Sequence, residues 1–114
     1  MSACIFCQIA EGTVDAALLH TDEEVIAFRD VNPQAPSHIL VIPREHIESA
    51  GDITPAQYPL WGRMLDLAQR LAQDDELDTD GYRLVTNIGP MGGQTVGHLH
   101  VHLLGGRQMT WPPG

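Results

Sequence analysis

Three histidines at alternate positions, His98, His100 and His102, are the residues best suited to chemistry in this chain. In an extended segment alternate side chains share a face, at a spacing of roughly 6.7 Å along the strand. A strand over His98 to Leu104 would therefore set three imidazoles on one side and Leu99, Val101 and Leu103 on the other. Each ring carries a donor and an acceptor that both need partners, which makes a poor filling for an apolar core. Two uses follow from residue type. Two or more imidazoles can hold a catalytic metal. Alternatively, one neutral imidazole, with an ordinary pKa of about 6.5, attacks phosphorus while its neighbours orient it and manage protons.

The segment before the row bears on that choice. Asn87 and then Gly89-Pro90-Met91-Gly92-Gly93-Gln94-Thr95 supply main-chain N–H groups clear of side chains, plus amide and hydroxyl donors. Such a concavity suits a phosphate group, although glycines serve a plain connection equally well. Beside an imidazole row it favours phosphoryl or nucleotidyl transfer. Attack by His100 would split one displacement at phosphorus into two easier ones, and Thr95 and His102 are candidates for protonating the departing amine. No divalent metal is required there if loop amides carry the phosphate charge. Cys4 and Cys7, spaced C-x-x-C, close too small a loop to staple a fold, and a reducing compartment would keep them as thiols. They are either half of a zinc site or two small buried hydrophobes. His20 shows no partner in the sequence and reads as a surface or strand-end residue.

The elements that position these groups follow from periodicity. Ile5 to Ile9 is a short apolar turn. Ala16 to Leu19 and Val25 to Phe28 are β-compatible runs around a polar turn, which predicts a hairpin. The two prolines of Asn32-Pro33-Gln34-Ala35-Pro36 exclude regular structure. His38 to Pro43 contains the unbroken apolar run Ile39-Leu40-Val41-Ile42, expected of a strand covered on both faces. One long helix lies between Thr54 and Glu76. Thr54 and Gln57 suit a capping box and Pro55 a first helical position, while Leu60, Met64, Leu67, Ala68 and Leu71 form one stripe. Pro59 would break a helical bond, so the continuous helix is expected to begin near it, after an isolated turn. Tyr82 to Asn87 and His98 to Leu104 complete about five strands. The expectation is an α+β domain: a mostly antiparallel sheet, one long helix and a short N-terminal helical turn.

With 114 residues the chain suits one domain over 1–114. Its formal charge of −9, with 15 acidic residues against 6 Lys and Arg, opposes long-range steering toward nucleic acid or anionic membrane. It does not exclude a small phosphate ligand held by local donors. The acidic run Asp74, Asp75, Glu76, Asp78 and Asp80 reads as a solvated helix end. No apolar run approaches the length of a membrane span and no leader pattern is visible, so a cytoplasmic location is expected. Trp111-Pro112-Pro113-Gly114 holds an aromatic on a stiff tail, which suggests docking onto a second subunit.

His98-Leu99-His100-Val101-His102-Leu103-Leu104 matches the alternating signature of the histidine triad (HIT) family. Gly105-Gly106-Arg107-Gln108-Met109 with Trp111-Pro112-Pro113-Gly114 resembles its Hint branch, the histidine triad nucleotide-binding proteins. Asp30, Pro33-Gln34-Ala35-Pro36 with His38, and Val41-Ile42-Pro43 with His46 match that branch too. The resemblance spans about Ile5 to Gly114. It implies the HIT-like fold and a homodimer, with residues 107–114 at the interface and a purine nucleotide (an AMP or GMP conjugate) bound by each subunit. It further implies hydrolysis of phosphoramidates, including aminoacyl-adenylates, through a covalent nucleotidyl-histidine. By position His100 matches the nucleophile, His102 and His38 the histidines that line the phosphate, and His98 the member that orients the nucleophile. Asn87, Gly93, Gln94 and Thr95 match phosphate and leaving-group contacts. Asp30 matches the carboxylate on the ribose, and Ile5, Phe6, Ile9, Phe28 and Leu40 the slot for the base. Trp111 matches the aromatic that approaches the partner's site. Bacterial relatives pair such cysteines with the histidines matching His46 and His98, which implies a structural zinc on Cys4, Cys7, His46 and His98. Thr110 and Gly97 depart from the animal members, which carry a histidine and a bulky aromatic there. Dinucleoside polyphosphate hydrolysis, nucleotide transfer and non-catalytic nucleotide-dependent regulation are the alternatives.

Overall fold

A computed structural model describes residues 3–114. Its order is α1 (Ile5–Glu11), β1 (Leu18–Thr21), β2 (Val25–Arg29), β3 (Ser37–Pro43), two short 3-10 turns, α2 (Tyr58–Asp74), β4 (Tyr82–Val85) and β5 (Val101–Gly105). The five strands form one antiparallel sheet in the order β1-β2-β3-β5-β4. This is the expected α+β architecture, with each predicted element present and several boundaries moved.

The central strand explains the two-layered core. Every residue of β3 is buried. Ile39 and Val41 pack with Met64, Leu67, Ala68 and Leu71 of α2 and with Leu99, Val101 and Leu103. Leu40 and Ile42 face the other way, onto Phe6 of α1 and onto Ile26 and Phe28 of β2. The unbroken apolar run is thus the sequence trace of a strand covered by α2 on one face and α1 on the other. The amphipathic stripe of α2 meets the sheet as its spacing requires, with Met64 and Leu67 almost fully buried.

Pro59 acts as expected. Pro55–Gln57 forms a 3-10 turn and α2 begins at Tyr58, so Pro59 sits in its first turn, where a missing N–H breaks no helical bond. Thr54 N–H donates to Gln57 Oε1 at 3.0 Å, one arm of the capping box. At the far end Asp75 accepts both Arg29 guanidinium N–H groups at 3.0 and 3.1 Å and the Ser37 hydroxyl at 2.6 Å. These bonds, the guanidinium's first among them, hold the Asp75 carboxyl below its ordinary range. One member of the predicted solvated acidic run therefore fastens α2 to β2 and β3. α1 ends at Gly12, whose φ of +79° suits the left-handed cap. Arg44 donates to Ala10 O at 2.7 Å, tying that helix to the end of β3.

The triad segment differs from the expected strand. Ladder pairing starts only at Val101, and His98 to His100 lie before it. The register would set Ile42 and Pro43 of β3 opposite His100 and Leu99, but the ladder stops at Val41–Val101; Pro43 has no N–H to donate, and β4 stops at Val85. The first half of the triad is held instead by Leu99 N–H to Ile47 O at 2.6 Å and by the Thr86 hydroxyl donating to His100 O at 2.9 Å. Side-chain alternation survives: the histidines face α1, and Leu99, Val101 and Leu103 face α2. No helix among the described residues is long and apolar enough to cross a membrane.

Because Leu67 is 2% exposed between α2 and the sheet, Leu67→Ala is expected to cost about 3 kcal/mol, combining lost transfer energy and a cavity. Urea unfolding followed by circular dichroism measures it. A loss below about 1 kcal/mol would mean that the α2 seam is not the main core.

Candidate active site

Hydrogen-bond partners fix the protons of the histidines one by one. A carbonyl oxygen only accepts, so His100, whose Nδ1 lies 2.7 Å from His98 O, carries its proton on Nδ1 and keeps the Nε2 lone pair. The ring is 4% exposed and stands edge-on to Phe6, with centroids 5.1 Å apart. His38 Nδ1 accepts from Gln34 N–H at 3.0 Å, so its proton sits on Nε2. That N–H donates to His102 Nδ1 at 2.9 Å, with Asp30 Oδ2 at 3.5 Å from the same nitrogen. His102 in turn carries its proton on Nε2. The result is a directed relay, Gln34 to His38 to His102, beside an imidazole with a free lone pair.

Burial favours the neutral form of His38 and His102. It is the largest cause holding His38 below the ordinary histidine value, partly offset by the Asp30 carboxylate. His102 is pushed down to about 4, by burial first and then by His100 and His38.

Asp30, His38 and His102 bring one donor atom each within 4.8 Å, a pattern that by residue type can ligate a metal. Binding through His38 Nε2 would shift that ring's proton to Nδ1, against the N–H of Gln34. The hydrogen bonds suit a proton relay better.

A cleft of about 520 Å³ opens over this row, a volume ordinary for a small-molecule site. Ile5, Phe6, Ile9, Phe28 and Leu40 line its apolar part, and Asp30, His38, Thr95, His100 and His102 its polar part. Asp30 Oδ1 accepts from Asn32 N–H at 2.8 Å, which fixes the carboxylate. Ten predicted residues thus meet in one cleft.

Others lie outside its walls. Asn87 donates from Nδ2 to Gly92 O at 2.7 Å. Gln94 accepts Gly89 N–H on Oε1 at 2.9 Å and donates from Nε2 to Glu48 O at 2.7 Å and Val96 O at 3.0 Å. Both amides shape the glycine-rich loop from within. Gly93 takes a φ of +79°, and a Cβ on Gly92 would run into Ile88 O, so the loop's tight course demands glycine there. Trp111 is 83% exposed on the tail.

The second cluster joins Cys4, Cys7, His46 and His98, whose ligand atoms lie within 4.8 Å of one another. Nδ1 of His98 is 3.3 Å from Cys4 Sγ, 3.5 Å from Cys7 Sγ and 3.2 Å from His46 Nδ1. His46 Nδ1 is 3.2 Å from Cys7 Sγ. Zinc bonds of about 2.3 Å to sulfur and 2.05 Å to nitrogen imply tetrahedral edges of about 3.3 Å between nitrogens and about 3.6 Å from nitrogen to sulfur, close to these separations. The tautomers agree. His98 Nε2–H donates to Pro43 O at 2.9 Å, and His46 Nε2 faces Glu48 Oε2 at 3.3 Å, leaving both Nδ1 lone pairs turned to the sulfurs. Two thiolates and two imidazoles fit zinc, which in such a closed set supplies cross-linking and no open position for substrate.

A domain model described as "HIT domain" matches residues 11–109. The chain belongs to the HIT family. Among curated relatives, a HIT-like protein of Synechococcus elongatus is 48% identical over 110 residues, 96% of each chain. A maize protein named as a 14 kDa zinc-binding protein is 45% identical, covering 99% of this chain and 89% of its own. Among solved structures, a HIT family hydrolase from Legionella pneumophila superposes with a TM-score of 0.96 at 50% identity, covering 97% of this chain and 99% of the other.

In this HIT chain, sequence reasoning overlooked Gln34, whose main-chain N–H sets the His38 tautomer, and Glu48, which touches both the cage and the loop. A main-chain donor leaves no trace in residue type. A single acid such as Glu48 carries no motif either. The missing bulk at Gly97 has a local reason: a Cβ there would stand 2.5 Å from Glu48 Oε1.

Unfolded, His102 takes up a proton near the ordinary value of about 6.5; folded, it does so only at about 4. Between those values the unfolded state binds more protons, so stability present above about pH 6.5 is lost as pH falls toward 4. An NMR titration should place the His102 ring midpoint near 4, and His102→Gln should flatten that part of the stability profile. A midpoint at the ordinary histidine value would contradict the relay.

Proposed function

We propose that this protein hydrolyses purine nucleoside phosphoramidates, AMP–amine conjugates and aminoacyl-adenylates among them, through a nucleotidyl-histidine on His100. The observation that carries the proposal is the hydrogen bond from His100 Nδ1 to His98 O. It commits one ring nitrogen and leaves Nε2 as the lone pair, in a cleft of nucleoside size with a carboxylate at one side. The hydrolase and zinc-binding relatives agree with the class of activity and with a metal-stabilised fold.

His100 Nε2 forms the bond to phosphorus as the bond from phosphorus to the amine breaks. The amine leaves with a proton that solvent water supplies and the Thr95 hydroxyl hands on, while the His102 Nε2–H donates a hydrogen bond to the phosphoryl oxygen. Positive charge growing on the His100 ring is stabilised by the carbonyl on Nδ1. Water then attacks phosphorus as the bond from phosphorus to His100 Nε2 breaks, returns its proton to solvent and releases the nucleoside monophosphate. Asp30, an acceptor only, grips the ribose hydroxyls. The Phe6–Phe28 pair, with centroids 5.7 Å apart, flanks the base together with Ile5, Ile9 and Leu40. The expected cradle of free loop N–H groups is not formed, because those of Gly89, Gly92, Gly93 and Gln94 are bonded within the loop. Asn87, Gly93 and Gln94 act by shaping the loop that sets Thr95, whose hydroxyl meets the phosphate with the His102 Nε2–H.

The working form is a cytoplasmic homodimer. β4 is an edge strand with Leu84 exposed, and the tail beyond it presents Trp111; an unpaired edge and an exposed aromatic both favour a second copy.

Incubation with an adenosine 5′-phosphoramidate is expected to release AMP, and acid-sensitive labelling should map to His100. His100→Ala should lower kcat/KM by at least about 10³-fold, while Asp30→Asn should mainly raise KM. Wild-type turnover by His100→Ala would overturn the assignment.

A further inference from the structure

We propose that the Cys4–Cys7–His46–His98 cage is the support from which the catalytic centre hangs: metal loading there sets the orientation of His100 and the course of the 89–96 loop, with Glu48 as the positioning residue between cage and loop. Only the kinetic part of the test below rests on the hydrolase proposal.

Two main-chain carbonyls make the connection. The first is that of His98. Its ring is fully buried and engaged at both nitrogens, Nε2 on Pro43 O at 2.9 Å and Nδ1 against the cage donors at 3.2 to 3.5 Å. Its N–H neighbour Leu99 is pinned to Ile47 O at 2.6 Å. The carbonyl between these anchors receives His100 Nδ1–H at 2.7 Å. A thiol is a weak hydrogen-bond donor, whereas a metal gives the same four atoms bonds to one centre. Loading therefore removes freedom from the very residue whose carbonyl aims the nucleophile.

The second is that of Glu48. Its carboxylate faces the distal nitrogen of His46 at 3.3 Å, and its carbonyl accepts Gln94 Nε2–H at 2.7 Å. Gln94 Oε1 then holds Gly89 N–H at 2.9 Å, across the loop. Glycine at position 97 leaves the space the carboxylate occupies, with Glu48 Oε1 where a Cβ would press. Cage and loop thus share Glu48 as cage and nucleophile share His98. Losing a partner of this kind costs a metal site 10–100-fold in affinity. His46 and Glu48 side chains are 44% and 66% exposed, which points to the lower end.

The test uses the full chain under reducing conditions, stripped by a chelator and reloaded with zinc. The His100 Nδ1–H proton, followed by NMR, is expected to exchange at least tenfold faster in the stripped chain and to recover on reloading. With a phosphoramidate, kcat should fall by a similar factor while KM stays within twofold. Competition against a chromophoric chelator should show zinc held about tenfold more weakly by Glu48→Gln and weakened in the same direction by Gly97→Ala. Identical His100 exchange and identical 89–96 amide shifts in the two metal states would overturn the proposal, as would wild-type affinity in Glu48→Gln. Should stripping unfold the chain, zinc-saturated Glu48→Gln carries the test: its 89–96 amide shifts must move, and unmoved shifts refute it. A chain that turns over no phosphoramidate leaves exchange and affinity readable, so failure of the hydrolase proposal shows separately.

Discussion

The contact from His100 Nδ1 to the carbonyl of His98, at 2.7 Å, decides which nitrogen of the central imidazole keeps its lone pair. Imidazole has two nearly equivalent nitrogens, and free in solution either can carry the proton. A carbonyl that can only accept removes the ambiguity, provided the carbonyl itself stays put. Much of the surrounding structure keeps it so. His98 is buried, its ring is bonded on both sides, and the residue after it is tied to Ile47. The strand that follows is locked between β3 and β4.

A second constraint, charge, shapes the pocket. His38, His100 and His102 crowd one face, with ring centroids 5.1 Å apart for His38 and His102 and 5.0 Å for His100 and His102. Two protonated rings at such distances repel, and burial adds a penalty for any charge. His38 and His102 therefore work as neutral rings linked by one directed hydrogen bond, with Asp30 as the carboxylate beside them. The molecule carries a net charge of −9, and the polar part of the cleft holds no Lys and only Arg29, so imidazoles and the Thr95 hydroxyl make up most of its donors.

The third constraint is the division of the core by β3. One face packs α2 against the sheet and carries most of the apolar contacts, with Asp75 fastening the helix end through Arg29 and Ser37. The other is a smaller cluster around Phe6, which leaves room for the cleft. The fold thus assigns stability to one side of the sheet and chemistry to the other, and the alternating triad is where the two meet.

The sequence alone determined the element types, because their signals are local. Alternation placed the imidazoles on one face, the apolar run announced a doubly covered β3, and Pro55 with Pro59 marked a turn and then a helix start. Residue type and spacing also singled out the triad histidines and the Cys4–Cys7 pair, while Asp30, His38 and His46 were named only by the family resemblance. The tertiary structure decided what depends on partners distant in the chain. It began the last strand at Val101 rather than His98: β4 ends at Val85, and on the β3 side the register reaches Pro43, which has no N–H to give the ladder. It turned Gln94 and Asn87 inward to build the loop. It drew Asp75 out of a solvated acidic run, and it showed that Gln34 and Glu48 act through main-chain groups common to nearly every residue. Periodicity is written into neighbouring residues; a proton's position is set by whichever carbonyl or amide the fold brings within 3 Å, and a linear pattern carries no record of that distance.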